Sequence, residues 1–237
     1  KRILTLESRK DIKIYLAAIL RQTTDTLIHI KIFGNLEKIL FRNRVPGIGI
    51  MDERTMANWA RDIYNAEDTI EGINQKQINL LGTAVDVSSI IQSFKSLFAY
   101  ERGNKGFHRW SALKYFLFEY EEYLRNKAQE TNDKVTFDDY LETTIEHIIP
   151  QQFWDNWQDT VNGFTQGLDE EYKEQARKVL INSLGNLTIL KNGKNSSLGN
   201  KSWFDKKERF KTGSYNEINI SQQDTWSKYE IAQRGKE

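Results

Sequence analysis

The chain has 237 residues, a formal net charge of +1, 38% hydrophobic and 28% charged residues, and no cysteine. This composition excludes a disordered chain, and the length allows one substantial core or two modest ones. The lack of cysteine excludes disulfides and cysteine-ligated zinc, and it fits the reducing cytoplasm, where we expect the protein to act. No apolar run is long enough to span a bilayer, and no signal peptide is visible. Because the sequence starts at Lys1 rather than at a methionine, we expect it to be a piece of a longer protein.

Hydrophobic periodicity predicts a helical first half. Apolar residues recur at helical spacing in several segments, which are separated by turns such as Pro46-Gly47. Residues 28–40 are apolar and fit either a strand or a helix, although residues 35–41 favour a helix. The predicted helices, in chain order, are residues 9–22, one that starts at Asp52, Val87–Tyr100 and Phe107–Glu130.

The second half mixes short strands with helices. The β-branched residues before Pro150 predict a strand, which ends at this proline because proline lacks a backbone donor. Residues 186–190 predict a second strand. The polar stretch near Glu130–Lys134 is the clearest boundary. We therefore predict a mostly helical α+β fold, with a helical supporting region over residues 1–140 and a second domain over 141–237. Further helices are predicted at about Asp169–Ile181, at Trp203–Lys211 and around Ile231.

Two segments of the second half depart from this generic pattern, Thr144–Pro150 and Ser183–Asn195. The first places the carboxylate of Glu146 beside the imidazole of His147. Neighbouring side chains of a strand point to opposite faces, so these two groups can meet at one ion only where the strand ends or distorts. The second segment reads as a glycine-led turn, a short strand and the Asn-, Gly- and Lys-rich start of a helix.

Together these segments resemble the HNH (ββα-metal) nuclease motif, in the variant that closes the GmrSD and SspE group of modification-dependent, phage-restricting endonucleases. Members of that group carry an acidic-His-Ile-x-Pro strand, then Gly-Asn-Leu-Thr-x-Leu, then an Asn before a Lys- and aromatic-rich helix. The corresponding residues here are Glu146–Pro150, Gly185–Leu190, Asn195 and Asn200–Phe204. HNH nucleases usually place the metal-binding helix residue nine positions after the central Asn, as Asn195 follows Asn186. The resemblance covers roughly 70 residues.

The resemblance implies a metal-dependent endonuclease that nicks or cleaves DNA, leaving 5′-phosphate and 3′-hydroxyl ends, in the restriction of phage or modified DNA. His147 would be the general base that activates water, and Asn186 would brace the loop that aims it. Glu146 and Asn195 would hold a divalent ion on the scissile phosphate, with Asn200 as a rival ligand. Oxygen ligands without cysteine suit Mg²⁺ or Mn²⁺. In such proteins an upstream sensor or regulatory domain controls the nuclease, and we expect one outside this sequence.

Two positions depart from the family pattern. Relatives often have Asp where this chain has Glu146, and many HNH helices carry a Lys where this chain has Leu198. Lys201 is a candidate to supply that charge.

Charge is unevenly distributed along the second half. Residues 191–211 contain seven basic and two acidic residues, whereas residues 119–146 contain nine acidic and three basic ones. A polyanion is attracted by the first segment and repelled by the second. We therefore predict that DNA is contacted by basic residues of the first segment, namely Lys191, Lys194, Lys201, Lys206, Lys207 and Arg209.

Structural interpretations compete with each of these roles. A strand histidine bonded to backbone, a surface ion pair and a polar turn would explain His147, Glu146 and Asn195 respectively, and the basic run would be a solvated helix face. His108 is read as the start of the long helix, with phosphate contact as the alternative. Two other functions stay open: a catalytically inactive nucleic-acid-binding module, and a ribonuclease, since a phosphate site does not reveal the sugar. The helical half is predicted to support the nuclease and to add a wall to its groove through Arg42, Arg44 and Lys105.

Overall fold

The computed structural model describes residues 1–98 and 105–237. The strands in these ranges form one two-stranded antiparallel sheet, and most other residues are helical. The predicted α+β, mostly helical fold class is confirmed. The chain divides into two compact units, residues 1–93 and 94–237. This division lies before the long helix of the second half, whereas the sequence pattern placed the boundary after it.

The first unit contains helices whose apolar faces pack together. α2 packs against α4, and α3 packs against α5 and α1. The segment that fitted either a strand or a helix is part of α3, because Asp25 accepts hydrogen bonds from the amides of Leu27 and Ile28 and so starts the helix there. The helices are α1 (Arg2–Leu6), α2 (Lys10–Gln22), α3 (Thr26–Arg44), α4 (Glu53–Tyr64) and α5 (Ile70–Leu81).

Arg42 and Arg44, the two arginines expected to form a wall of a groove, make contacts inside the first unit. Arg42 donates to the carbonyl oxygens of Leu81 and Thr83 at 2.5 and 3.1 Å. Arg44 lies 2.6 Å from the carboxylate of Glu7. Both side chains therefore tie the end of α3 to neighbouring segments.

The second unit surrounds a hairpin with helices. Helix α7 packs against β2, and α11, which follows β2 directly, packs against both strands. Its elements are β1 (Thr143–His147), β2 (Leu187–Lys191), α7 (Leu113–Lys127), α8 (Phe137–Leu141), α9 (Gln158–Thr165), α10 (Glu170–Ile181), α11 (Asn192–Leu198), α12 (Trp203–Phe210), α13 (Tyr215–Ser221) and α14 (Lys228–Arg234), with α6 (Val87–Lys95) crossing from the first unit.

Two predicted helices are shorter than their patterns indicated. The long helix is interrupted: a 3-10 turn at Gly106–Arg109 precedes α7, and Gly106 has a left-handed φ of +50° that only glycine adopts readily. His108 therefore lies on a turn rather than on the helix. The helix predicted over Val87–Tyr100 ends at Lys95, and its predicted last residues, 99 and 100, lie outside the described ranges.

The core of the second unit lies between the hairpin and the helices that follow it. Leu190 of β2 and Ile148 and Ile149 after β1 pack with large side chains of α11, α12 and α14 and of the loops before α9 and α14. The main members are Phe153, Trp157, Leu198, Phe210, Trp226 and Ile231. Burial of these side chains fixes the end of β1, where the two sequence motifs meet. Among the described residues, no helix has the length and apolar character that crossing a bilayer requires.

Candidate active site

The register of the hairpin places the two motif residues at the end of β1. Glu146 pairs with Thr188 and His147 with Leu187, and the amide of Ile148 still donates to the carbonyl of Asn186 at 2.9 Å. Because the strand stays regular through His147, neighbouring side chains point to opposite faces. Glu146 therefore shares one face of β1 with Thr144, and His147 lies on the other.

Glu146 is buried as one half of an ion pair. The ammonium of Lys206 lies 2.6 Å from a Glu146 carboxylate oxygen and 3.2 and 3.0 Å from the carbonyl oxygens of His147 and Ile148. Lys206 is 0% exposed and Glu146 is 6% exposed. Burial raises the pKa of Glu146 and lowers the pKa of Lys206, and their attraction opposes both shifts. Three oxygen acceptors around one ammonium use all three of its protons, as expected of a charged lysine.

Lys206 therefore differs from the surface residue that the basic run predicted. Its amine faces the motif strand and is closed off from solvent, so it is not available to a phosphate on the surface. The sequence does not reveal this, because the partner Glu146 lies 60 residues away along the chain.

His147 is held by an amide that fixes its tautomer. Its Nε2 lies 3.1 Å from Oδ1 of Asn182, and the amide nitrogen of Asn182 donates to the carbonyl of Lys178 at 2.9 Å. That second bond orients the amide, so Oδ1 accepts and Nε2 of His147 carries the proton. The lone pair of the ring is then on Nδ1. A histidine with this tautomer can accept a proton at Nδ1 without losing its hydrogen bond.

The environment of His147 keeps the ring neutral. Burial lowers the pKa of His147 to about 4, the bond to Asn182 opposes this shift, and repulsion by the charge of Lys206 and by the protonated form of His108 adds to it. The ring of His108 lies 5.0 Å from that of His147, centroid to centroid. Burial also lowers the pKa of His108, and Lys105 adds to the shift. Two neutral imidazoles thus lie in contact at the end of β1.

Asn186 joins the two motifs through its side chain. Its Oδ1 accepts from the amide of Ile149 at 2.8 Å, and its Nδ2 donates to the carbonyls of Ile149 and Ile181 at 3.0 and 2.8 Å. The indole of Trp226 donates to the same Oδ1 at 3.2 Å. Asn186 is fully buried, so these bonds are shielded from water and hold the chain that follows His147.

Gly185 of the second motif is required by a close backbone contact. A Cβ at this position would collide with the carbonyl oxygen of Ile231 in α14. Arg234, one turn later, donates to the carbonyls of Gly185 and Leu187 at 2.8 and 2.9 Å. The last helix therefore supports the turn that leads into β2.

Asn195 lies on α11 against the Glu146 face of β1. Its Nδ2 donates to the hydroxyl of Thr144 at 2.8 Å and to the carbonyl of Ile145 at 3.2 Å, which leaves its Oδ1 for another partner. Asn200 lies beyond the end of α11, where its carbonyl accepts from Asn156 at 2.9 Å. Of the two rival ligands, Asn195 is the one whose side chain touches β1.

Comparison with known families decides between a generic helical domain and a nuclease. Residues 89–237 match the family described as GmrSD restriction endonucleases, C-terminal domain, and this match spans more than half of the chain. The chain belongs to the GmrSD C-terminal domain family. No curated protein and no solved structure matches it. The predicted resemblance to GmrSD-type endonucleases is confirmed, and this family membership supports a nuclease role in restriction, which implies DNA as the substrate.

The donor atoms of this GmrSD-family domain can be compared with those a metal needs. No group of three or more His, Asp or Glu side chains converges among the described residues. Glu146 and Asn195 each retain one oxygen on the same face of β1, and the Thr188 hydroxyl beside Glu146 is buried without a hydrogen-bond partner in the described part of the chain. A set of two or three oxygens fits Mg²⁺ or Mn²⁺, which keep several waters and bind substrate phosphate.

The predicted DNA-binding residues of the GmrSD-family domain are mostly paired with acidic or polar side chains. Lys191 lies 2.7 Å from Asp139, and Lys207 lies 3.0 Å from Asp224. Lys194 pairs with Glu217, and Arg209 donates to the Ser197 hydroxyl at 3.2 Å. Lys201 is exposed. The count of positive charges along the sequence therefore overstates the positive surface in this segment.

Proposed function

We propose that this domain nicks or cleaves DNA by metal-dependent hydrolysis at the His147 end of β1, as an HNH-type endonuclease. The observation that carries the proposal is the hydrogen-bond geometry of His147: Nε2 lies 3.1 Å from Oδ1 of Asn182, whose amide nitrogen is bound to the carbonyl of Lys178, so Nδ1 keeps the lone pair. A general base must be unprotonated at the working pH and fixed in direction, and this ring meets both conditions.

The proposed proton transfer uses Nδ1 of His147. A water positioned there gives up its proton as it attacks the phosphorus, and the imidazolium that forms keeps its bond to Oδ1 of Asn182. That bond strengthens as the ring becomes charged, because the donor is then a cation. Asn186 holds the backbone after His147 and so limits the positions that the ring can take.

The proposed metal ligands are Glu146 of β1 and Asn195 of α11, on the face of the hairpin where Thr188 of β2 lies opposite Glu146. A bound Mg²⁺ or Mn²⁺ would offset the charge that builds on the phosphate and the departing 3′ oxygen. Lys206 holds one oxygen of Glu146 and leaves the other free to face a cation. The expected products are 5′-phosphate and 3′-hydroxyl ends.

The proposed setting is anti-phage restriction under the control of an upstream sensor domain. Because target selection is assigned to that domain in this proposal, we expect the 237-residue chain tested alone to nick slowly and without discrimination.

A supercoiled-plasmid nicking assay with Mg²⁺ or Mn²⁺ tests this proposal. We expect the wild-type chain to nick and His147→Ala to lose about 100-fold or more of the rate, the size of general-base catalysis. His29→Ala, which changes a histidine of the first unit, is the control. Equal nicking by His147→Ala and wild type would refute the proposed role. A metal-independent DNA shift without nicking would favour the inactive binding module, and faster cleavage of labelled RNA would favour a ribonuclease.

A further inference from the structure

A cleft of about 440 Å³ lies directly beside His147 and outside the segment that the sequence marked as DNA-binding. We call it the α10 cleft, because the end of α10 forms one wall. The residues that matter for its chemistry are Lys105, His108, Gln151, Phe153, Arg177 and Asn182.

The α10 cleft reaches the proposed base through two of its lining residues. The ring of His108 lies 5.0 Å from that of His147 at an interplanar angle of 43°, and Asn182 holds Nε2 of the His147 ring at 3.1 Å. A group bound in the cleft is therefore separated from His147 by a single layer of side chains. His147 itself is 8% exposed, and His108 and Asn182 are its two contacts that line the cleft.

The walls of the α10 cleft are positively charged. Lys105, Arg177 and Lys178 line it, against the single carboxylate of Glu174. Arg177 also lines a neighbouring cleft of about 480 Å³, together with Lys173 one turn earlier on α10. The two clefts adjoin at Arg177, whose Nε is buried and without a hydrogen-bond partner in the described residues. Lys173 pairs with Glu170 at 2.5 Å and Lys178 with Glu174 at 3.0 Å, so Lys105 and Arg177 are the cations on which a phosphate contact in this cleft depends.

Aromatic rings stand beside these cations. Trp154 is 57% exposed, its ring lies 4.4 Å from that of Phe153, and the guanidinium of Arg177 lies 5.7 Å above it. Phe153 is only 5% exposed, so Trp154 is the ring that is open to a base. A cation beside an exposed aromatic ring can bind a single nucleic-acid strand, through phosphate contacts and base stacking.

Two of the basic residues predicted from sequence, Lys191 and Lys194, lie at the other end of the sheet. Lys191 and Lys194 line a separate cleft of about 340 Å³ with Thr143, the first residue of β1. Four residue steps along a strand separate Thr143 from His147, a distance of about 13 Å. A phosphate held in that cleft is therefore too far from His147 to be the one that is cut.

We propose that the α10 cleft receives the nucleic-acid strand that carries the scissile phosphate, with Lys105 and Arg177 on its phosphates and a base against Trp154. This inference rests on the proposed nuclease function and names the path of its substrate. The ligand class is a phosphodiester strand with an unstacked base next to the cleaved position.

Binding measured without metal tests the path without cleavage. Fluorescence anisotropy with labelled 12-nucleotide single strands and duplexes in EDTA compares Lys105→Glu/Arg177→Glu with the rival pair Lys191→Glu/Lys201→Glu, which makes the same change of charge. We expect the first pair of substitutions to weaken binding roughly tenfold or more. We also expect it to lower the magnitude of the slope of log affinity against log salt concentration by about 1.5. The rival pair is expected to change affinity by less than about twofold. An equal or larger loss in the rival pair would overturn the proposal.

Photocrosslinking provides a second test that does not depend on weakened variants. Because the chain has no cysteine, a single introduced cysteine can be labelled with one aryl azide. The two positions are Gln151→Cys in the α10 cleft and Thr212→Cys in the cleft that Lys191 and Lys194 line. We expect crosslinks to DNA from position 151 and few from position 212. Crosslinks from position 212 alone would overturn the proposal.

The two proposals fail in distinguishable ways. If nicking depends on His147 but DNA crosslinks only from position 212, the path is wrong and the nuclease stands. If DNA crosslinks from position 151 but nicking does not depend on His147, the nuclease assignment fails.

Discussion

Each face of β1 carries a buried polar side chain, and the two side chains are accommodated in opposite ways. On one face, Glu146 is buried as a charge, with the ammonium of Lys206 2.6 Å away. On the other, His147 is buried without a charge, between Asn182 and His108. Neighbouring residues of one strand thus carry a fixed negative charge and a neutral proton acceptor. Metal-assisted hydrolysis uses both kinds of group, and because the two side chains point to opposite faces, a phosphate that both could reach would have to lie at the end of β1, beyond His147.

The largest effect is expected from removing the cation on the Glu146 face. Lys206→Met leaves the Glu146 carboxylate buried without a partner, so we expect the free energy of unfolding to fall by about 3–5 kcal/mol. Urea unfolding of the metal-free protein measures it. Adding Glu146→Gln to this variant should restore most of the loss, because the uncompensated charge is gone. The matched control is Lys207→Met, whose partner Asp224 is fully exposed, with an expected change of less than about 1 kcal/mol.

If Lys206→Met and the double variant Lys206→Met/Glu146→Gln lost the same free energy of unfolding, Lys206 would contribute packing rather than charge. The Glu146 face of β1 would then not differ from the His147 face in carrying a stabilising ion pair.

The neutral face makes the fold sensitive to acid. Since the folded pKa of His147 is about 4 and its ordinary value is 6.5, the unfolded chain binds a proton in this window that the folded chain does not. Stability is therefore full above pH 6.5 and falls as the pH drops towards 4, by roughly 3 kcal/mol. Unfolding free energies of the metal-free wild type and His147→Gln, compared between pH 7 and pH 4, isolate the contribution. A constant difference between them across this range would show that the folded ring titrates normally.

These two faces also show what a sequence can and cannot reveal. The motif residues, the helix over residues 9–22, the helix after Ser202 and the two short strands are local features, and spacing and capping predict them. The Glu146–Lys206 pair joins positions 60 residues apart, and no spacing rule signals it. Counting charges also fails here, because the count does not show that Lys206 is buried.

The contact of Asn182 with His147 could not be predicted from the sequence for a related reason. Asn182 lies just before the second motif, at the end of α10, and its sequence position suggests a turn former. Only the fold brings it to His147, 35 residues earlier in the chain. The boundary between the two units was also not predictable from composition, since the polar stretch near Glu130–Lys134 lies inside the second unit.

Asn182→Ala is expected to have a smaller effect on stability but a clear effect on the tautomer of the His147 ring. Without the Oδ1 acceptor the Nε2–H tautomer loses its preference, and an unpaired buried N–H costs about 1–3 kcal/mol. Nitrogen chemical shifts of His147 in the metal-free protein should show a mixture of tautomers, with nicking reduced roughly tenfold or more. Asn182→Asp keeps an acceptor and should retain the tautomer while raising the pKa of the ring. If Asn182→Ala leaves the nitrogen shifts unchanged, the amide does not set the tautomer.

The smallest effect is expected far from both groups, at the Lys191 end of the sheet. The contact with Lys191 and the bond from Thr136 hold the pKa of Asp139 at about 2, below its usual 3.8. This lowered pKa contributes stability that is present above pH 4 and is lost as the pH falls towards 2. The pair is exposed, so Lys191→Ala should change the free energy of unfolding by at most about 1 kcal/mol, while the pKa of Asp139 rises towards its usual value. Carbon NMR titration of Asp139 measures its pKa. A large loss of stability in Lys191→Ala would mean that the exposed Asp139–Lys191 pair stabilises the fold as much as the buried Glu146–Lys206 pair does.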